Sequence, residues 1–190
     1  PVIIKACSLG SSIGIFKVKN EEDLFWALNT AFKYDKEIIV EKCLTNYREY
    51  NQAILGDSCS AIEEIIGAKE FLTFANKYEG VDVSRVFPAE FENLDLKDEI
   101  TKTTKKIAKS FSVRGVIRVD YLYDLDSKKL FVNEINSIPG SLAFYLFDEL
   151  DFTTLLDKMI QEGIKSRYLE KLKIATFPTN VLKNINGLNK

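Results

Sequence analysis

Two strand-like runs, residues 116–123 and 130–135, are separated only by residues 124–129, a stretch of hairpin composition, so they pair as an antiparallel hairpin. Alternate residues of a strand share a face, which puts Arg118 with Asp120 on one strand and Glu134 with Asn136 on the other. A hairpin centred on Ser127 sets Asp120 opposite Glu134 and Arg118 opposite Asn136, and all four side chains converge. Directly opposed carboxylates repel unless a cation lies between them. Solvated charges on a surface hairpin are the alternative reading of the same pattern.

The chain contains no histidine. Histidine-based acid–base catalysis, Ser-His-Asp triads and most zinc or iron sites are therefore excluded within it. Hard oxygen ligands point instead to magnesium, which seldom takes a full protein cage and bridges to phosphates. Cys7, Cys43 and Cys59 are odd in number and lack metal-ligand spacing, as suits free thiols in a reducing compartment, and the cytoplasm is expected. Twenty-six basic and 28 acidic residues are scattered along the chain, so nucleic acid is not an expected partner. No apolar run approaches the roughly 20 residues that span a bilayer, and no membrane association is expected.

With 46% hydrophobic residues over 190, the chain can bury a proper core. Residues 1–5 read as a buried strand with nothing before it to pair with, which together with Pro1 in place of methionine suggests a fragment. The small-residue loop 8–14 follows and could lie against a phosphate. Asn20, with Asp23 three residues on, caps a helix whose buried face is expected to carry Leu24, Phe25, Leu28, Ala31 and Phe32. Strands are expected at 37–42 and 50–55, the second ending in the turn Gly56-Asp57. Residues 71–85 lack a clean period and read as a long functional loop. Ile100, Thr104, Ile107, Ala108 and Phe111 mark a second helix. Phe152, Leu155, Leu156, Met159, Ile160 and Ile164 mark a third, and residues 173–177 form a possible short strand. The fold class is α/β (α+β), an antiparallel sheet with packed helices.

Downstream of the hairpin, Asn136-Ser137-Ile138-Pro139-Gly140-Ser141 leaves the strand in a Pro-Gly turn whose amides can meet an oxyanion. Arg118-Val119-Asp120 followed by Asn133-Glu134-Ile135-Asn136-Ser137-Ile138-Pro139-Gly140 resembles the metal-binding signature of the D-alanine–D-alanine ligases, of the ATP-grasp superfamily. Pro1-Val2-Ile3-Ile4-Lys5 with Gly10-Ser11-Ser12-Ile13-Gly14 is similar to that family's nucleotide lysine and phosphate-covering loop. Val40-Glu41-Lys42-Cys43-Leu44 resembles its adenine-binding stretch. The resemblance covers residues 1–164 and implies an ATP-grasp fold fragment. Residues 1–34 would be a remnant of the central subdomain and 35–190 the C-terminal subdomain with the magnesium site, the N-terminal substrate domain being absent.

By that resemblance, Lys5 and Lys77 neutralise nucleotide phosphates, while Ser11, Ser12 and Gly14 close over them. Glu41 accepts from the adenine amino group, the backbone of Lys42 and Leu44 reads the ring edge, and Glu49 holds the ribose. Asp120, Glu134 and Asn136 ligate two magnesium ions, for which manganese could substitute. Arg118 and the Gly140 amide stabilise the tetrahedral intermediate, and Tyr78 closes the site. The implied reaction joins two D-alanines through an acyl phosphate, at the expense of ATP, for peptidoglycan precursors. The full-length protein is expected to be a homodimer, and this chain by itself is expected not to ligate. The pattern departs at Tyr145, where the family carries a serine that helps bind the second substrate; Leu146 matches, and Ser141 is the expected substitute. Another ATP-grasp carboxylate–amine ligase and a non-catalytic nucleotide-binding module are the rival readings.

Overall fold

The computed structural model describes residues 1–10, 12–66 and 84–172. They form two antiparallel sheets, the first covered by a helix on one face and the second by helical segments on both. The first sheet has the order β2-β1-β3, from β1 (Val2–Ala6), β2 (Ile15–Val18) and β3 (Ile38–Lys42). The opening strand is thus the central one, and both of its partners come from later in the chain. β2 went unread in the sequence because its four residues merge with the preceding loop. β3 pairs with β1 although it lies beyond residue 34, so the change of sheet falls after Lys42.

Gly14 closes the β1–β2 loop. Its backbone has φ +71°, its carbonyl accepts from the Ala6 amide at 3.1 Å, and an added Cβ would meet the Ala6 Cβ at 3.1 Å. The missing side chain is therefore required by packing within the hairpin and by the left-handed backbone. Gly14→Ala is expected to cost about 1–3 kcal/mol, read as a lowered midpoint in thermal unfolding.

Helix α1 (Glu21–Tyr34) is capped by Asn20, whose side chain accepts from the Asp23 amide at 2.8 Å. It buries Ala27 and Ala31 against Ile4 and Val18, with Leu24 and Leu28 at the margin. Phe25 and Phe32, expected inside, lie exposed. Small residues let the helix approach the sheet closely, and that turns the bulky rings outward.

The second sheet has the order β6-β5-β4-β7-β8, from β4 (Tyr47–Leu55), β5 (Ser58–Ile66), β6 (Ser84–Val86), β7 (Val116–Asp124) and β8 (Lys129–Asn136). β5 and β6 were not anticipated, and Ser84 and Arg85, expected in the loop, belong to an edge strand. Tyr50, Ile54, Ile62, Val119 and Tyr121 pack on one face against Leu96 and Ile100 of helix α2 (Leu94–Ser110). Phe111, expected on that face, is exposed.

The other face is apolar at one end. There Ala53, Leu55 and Val116 meet a short 3-10 segment (Gly140–Leu146) and Leu155 of helix α3 (Phe152–Lys171). Leu155 is the buried residue of α3, and Phe152, Ile160 and Ile164 of the expected face are exposed. Residues 173–177 and most of the long loop lie outside the described residues. No helix among the described residues is long and apolar enough to cross a membrane. Cys7, Cys43 and Cys59 are all free.

Candidate functional site

Where the second face of the larger sheet turns polar, four residues stand side by side on adjacent strands: Glu63 on β5, Asn51 on β4, Asp120 on β7 and Glu134 on β8. Arg118 faces Asn136 in the next row. Both expected pairings are therefore present, but the hairpin reaches them by an unexpected route. Near its turn the register runs Asp124↔Lys129 to Tyr121↔Val132, which would set Asn133 opposite Asp120. A β-bulge at Asn133 adds one residue and brings Glu134 there instead. Since a one-residue slip turns every side chain to the other face, the bulge decides which side of the sheet carries the acid.

Asp120 is buried, Asn136 half-buried and Glu134 exposed. The Asp120 charge is met by its own strand. Arg118 donates from Nε to Oδ1 at 2.7 Å and from a terminal nitrogen to Oδ2 at 2.8 Å, and Asn136 Nδ2 donates to Oδ2 at 3.0 Å. Burial would lower the Arg118 pKa, but the hydrogen bonds and charge of Asp120, with help from Tyr145, outweigh it and raise the value above the usual arginine range. Among the described residues no group of three or more acid, histidine or cysteine side chains could hold a metal ion. Two carboxylates and an amide oxygen nevertheless suit magnesium, which keeps waters and takes phosphate oxygens to complete its shell. With Nδ2 turned to Asp120, Asn136 keeps its carbonyl oxygen for such an ion.

Lys5 connects the two sheets. Its Nζ donates to Asn133 Oδ1 at 3.0 Å and pairs with Glu41 Oε2 at 2.6 Å. The bulge residue thus holds the lysine, and the face of the first sheet away from α1 looks onto the Asp120 hairpin. Glu49 lies on the Asn51 face of β4, opposite Leu122. Lys42 is exposed and Leu44 half-buried at the crossing between sheets.

After Pro139 the chain makes a left-handed turn, with φ of 51°, 53° and 50° at Ser141, Leu142 and Ala143. For residues other than glycine such a backbone is strained by roughly 1–2 kcal/mol each. Gly140 and Ser141 are exposed at its start, whereas Leu146 is fully buried in the core beside Ala53 and Leu55. The Leu146 side chain therefore serves packing. Ser12 is half-buried with φ 60°. Ser11, Lys77 and Tyr78 lie outside the described residues.

Residues 1–161 match the family model described as the D-Ala-D-Ala ligase C-terminus. The D-alanine–D-alanine ligase of Thermosipho africanus is 37% identical over 189 residues, covering 95% of this chain and 51% of that protein. The chain belongs to the D-alanine–D-alanine ligase family. The Helicobacter pylori (strain P12) ligase is 37% identical over 183 residues, covering 91% of this chain and 51% of its own length. The chain thus spans about half the length of the curated relatives it matches. Among solved structures, the VanG D-Ala:D-Ser ligase of Enterococcus faecalis superposes with a TM-score of 0.72 at 30% identity, covering 85% of this chain and 49% of that one. The Bacillus anthracis ligase complexed with ATP superposes at 0.69 with 22% identity, over 90% of this chain and 54% of that one, a likeness of fold alone. The fold is the ATP-grasp fold of these ligases.

Sequence reasoning gave no role to Asn51, Glu63, Arg85 and Asn133. Residues 58–66 read as the strand that follows the Gly56-Asp57 turn would still set Glu63 opposite Tyr50; a register shift between Gln52 and Ile54 brings it opposite Asn51 on the site face.

Proposed function

We propose that this chain is the ATP- and magnesium-binding half of a ligase that joins two D-alanines through an acyl phosphate, in the cytoplasm, for peptidoglycan precursors. The observation that carries the reading is the register of β7 and β8. It sets Asp120 against Glu134 with Asn136 beside them, next to a lysine that bridges the two sheets. ATP supplies the phosphoryl group that activates a carboxylate. Lys5 would neutralise the nucleotide phosphates, and its present partners, Glu41 and Asn133, hold it at the cleft. Asp120, Glu134 and Asn136 would hold one or two magnesium ions. Arg118 and the Gly140 amide would meet the negative oxygen that develops as the second amine attacks. Positioning and charge neutralisation would provide most of the rate enhancement.

The test is calorimetric titration of Mg²⁺ with AMP-PNP into the chain, followed by product analysis with the native full-length protein, ATP and D-alanine. Magnesium-dependent binding followed by formation of D-alanyl-D-alanine is expected. A product formed only when D-serine or another amino acid is added would redirect the substrate assignment. No magnesium-dependent binding to the full-length protein would overturn the reading.

A further inference from the structure

Arg118 has two sets of partners, and a divalent cation at Asp120 competes with it for the same carboxylate. Both oxygens of Asp120 already accept hydrogen bonds from Arg118 or Asn136. If they turn to a divalent cation, Arg118 gives up both its bonds to that carboxylate while its charge stays half-buried. Two groups are placed to receive it. The Tyr145 hydroxyl already accepts from Arg118 Nη1 at 3.3 Å. Asn51, directly opposite Asp120 and thus diagonal to Arg118, carries a buried Oδ1 that has no hydrogen-bond partner among the described residues. Diagonal neighbours, about 7–8 Å apart, lie within reach of long side chains, and Ala53 opposite Arg118 leaves room.

Tyr145 is itself held from the far side. The Arg85 guanidinium lies over its ring, 5.9 Å from the centroid, and Arg85 Nη1 donates at 3.3 Å to Glu63, whose side chain is 2% exposed. Taking the cation away from so buried a carboxylate is costly, which favours keeping Arg85 in place. Glu63 also accepts from Asn51 Nδ2 at 3.2 Å. The same acid therefore steadies both receiving groups.

We propose that Tyr145 and Asn51 form a second cradle for the Arg118 guanidinium, occupied when Asp120 turns to a divalent cation, with Glu63 and Arg85 holding the cradle. The inference rests on the proposed metal–nucleotide site. It makes Tyr145 a positioning residue: the hydroxyl keeps Arg118 at the cleft in the metal-loaded state and draws it away from Asp120.

Tyr145→Phe keeps the ring under Arg85 and removes only the hydroxyl. In the native full-length protein its affinity for Mg²⁺ with AMP-PNP, by calorimetry, is expected to fall about five- to tenfold, because Arg118 then competes harder for Asp120. In an Arg118→Met background the same substitution is expected to change the affinity less than twofold, since the competitor is gone. Glu63→Gln is expected to act in the same direction as Tyr145→Phe by a smaller factor. An unchanged affinity for Tyr145→Phe, or a loss that persists without Arg118, overturns the cradle while leaving the function intact. Failure of the unsubstituted protein to bind Mg²⁺ with AMP-PNP overturns the functional reading itself.

Discussion

Asp120→Asn combined with Glu134→Gln is expected to lower Mg²⁺-dependent nucleotide affinity by at least about a hundredfold and ligation by about a thousandfold. The two acids stand opposite each other across β7 and β8, and the pair is the charged part of the candidate metal site. Amides preserve side-chain size and leave an acceptor for Arg118, so the loss reports charge rather than collapse of the hairpin. Full truncation of Asp120 would be less clear, because Arg118 would lose both bonds to its buried counter-ion. Such a loss costs about 3–5 kcal/mol where a buried pair is broken. Calorimetry with and without Mg²⁺, beside thermal unfolding in chelator, separates the two effects. Metal-dependent binding that survives the double substitution would move the metal site away from the hairpin.

The hairpin was legible in the sequence because it is local: two runs of strand formers and a short turn determine which residues can face each other. Its bulge was not. The centre at Ser127 gave the right opposition of Asp120 and Glu134, yet pairing near the turn is displaced from that centre, and Asn133 makes up the difference. Nothing in local composition marks Asn133 as the extra residue. Its place is understood only with Lys5, 128 residues earlier, which donates to it. The strands β2, β5 and β6 escaped for a related reason. They are short, rich in small or polar residues, or at a sheet edge, and their identity comes from their partners rather than from periodicity. Helix α1 was found through its cap but misread in its face, since a close helix–sheet contact selects Ala27 and Ala31 over larger neighbours. The Glu63–Arg85–Tyr145 arrangement joins β5, β6 and the 3-10 segment, and no spacing in the chain announces it.

Arg118→Met should separate binding from chemistry by moving them in opposite directions. Ligation in the full-length protein is expected to fall about 10²–10³-fold, the usual cost of removing one group that stabilises a developing oxyanion. Mg²⁺ affinity is expected to rise several-fold, because Arg118 bonds both Asp120 oxygens and its positive charge competes with the cation for them. The methionine keeps much of the packing of the arginine stem, so the change is chiefly one of charge. Without metal the variant leaves the buried Asp120 with Asn136 as its remaining described donor, and its unfolding temperature should drop. Saturating Mg²⁺ should restore much of that loss, since an ion that binds only the folded state stabilises it by mass action. The direction of the metal effect is the decisive reading. If Mg²⁺ affinity fell in parallel with that of Asp120→Asn, Arg118 would be supporting the metal site rather than competing with it, and the cradle of Tyr145 and Asn51 would have no load to receive.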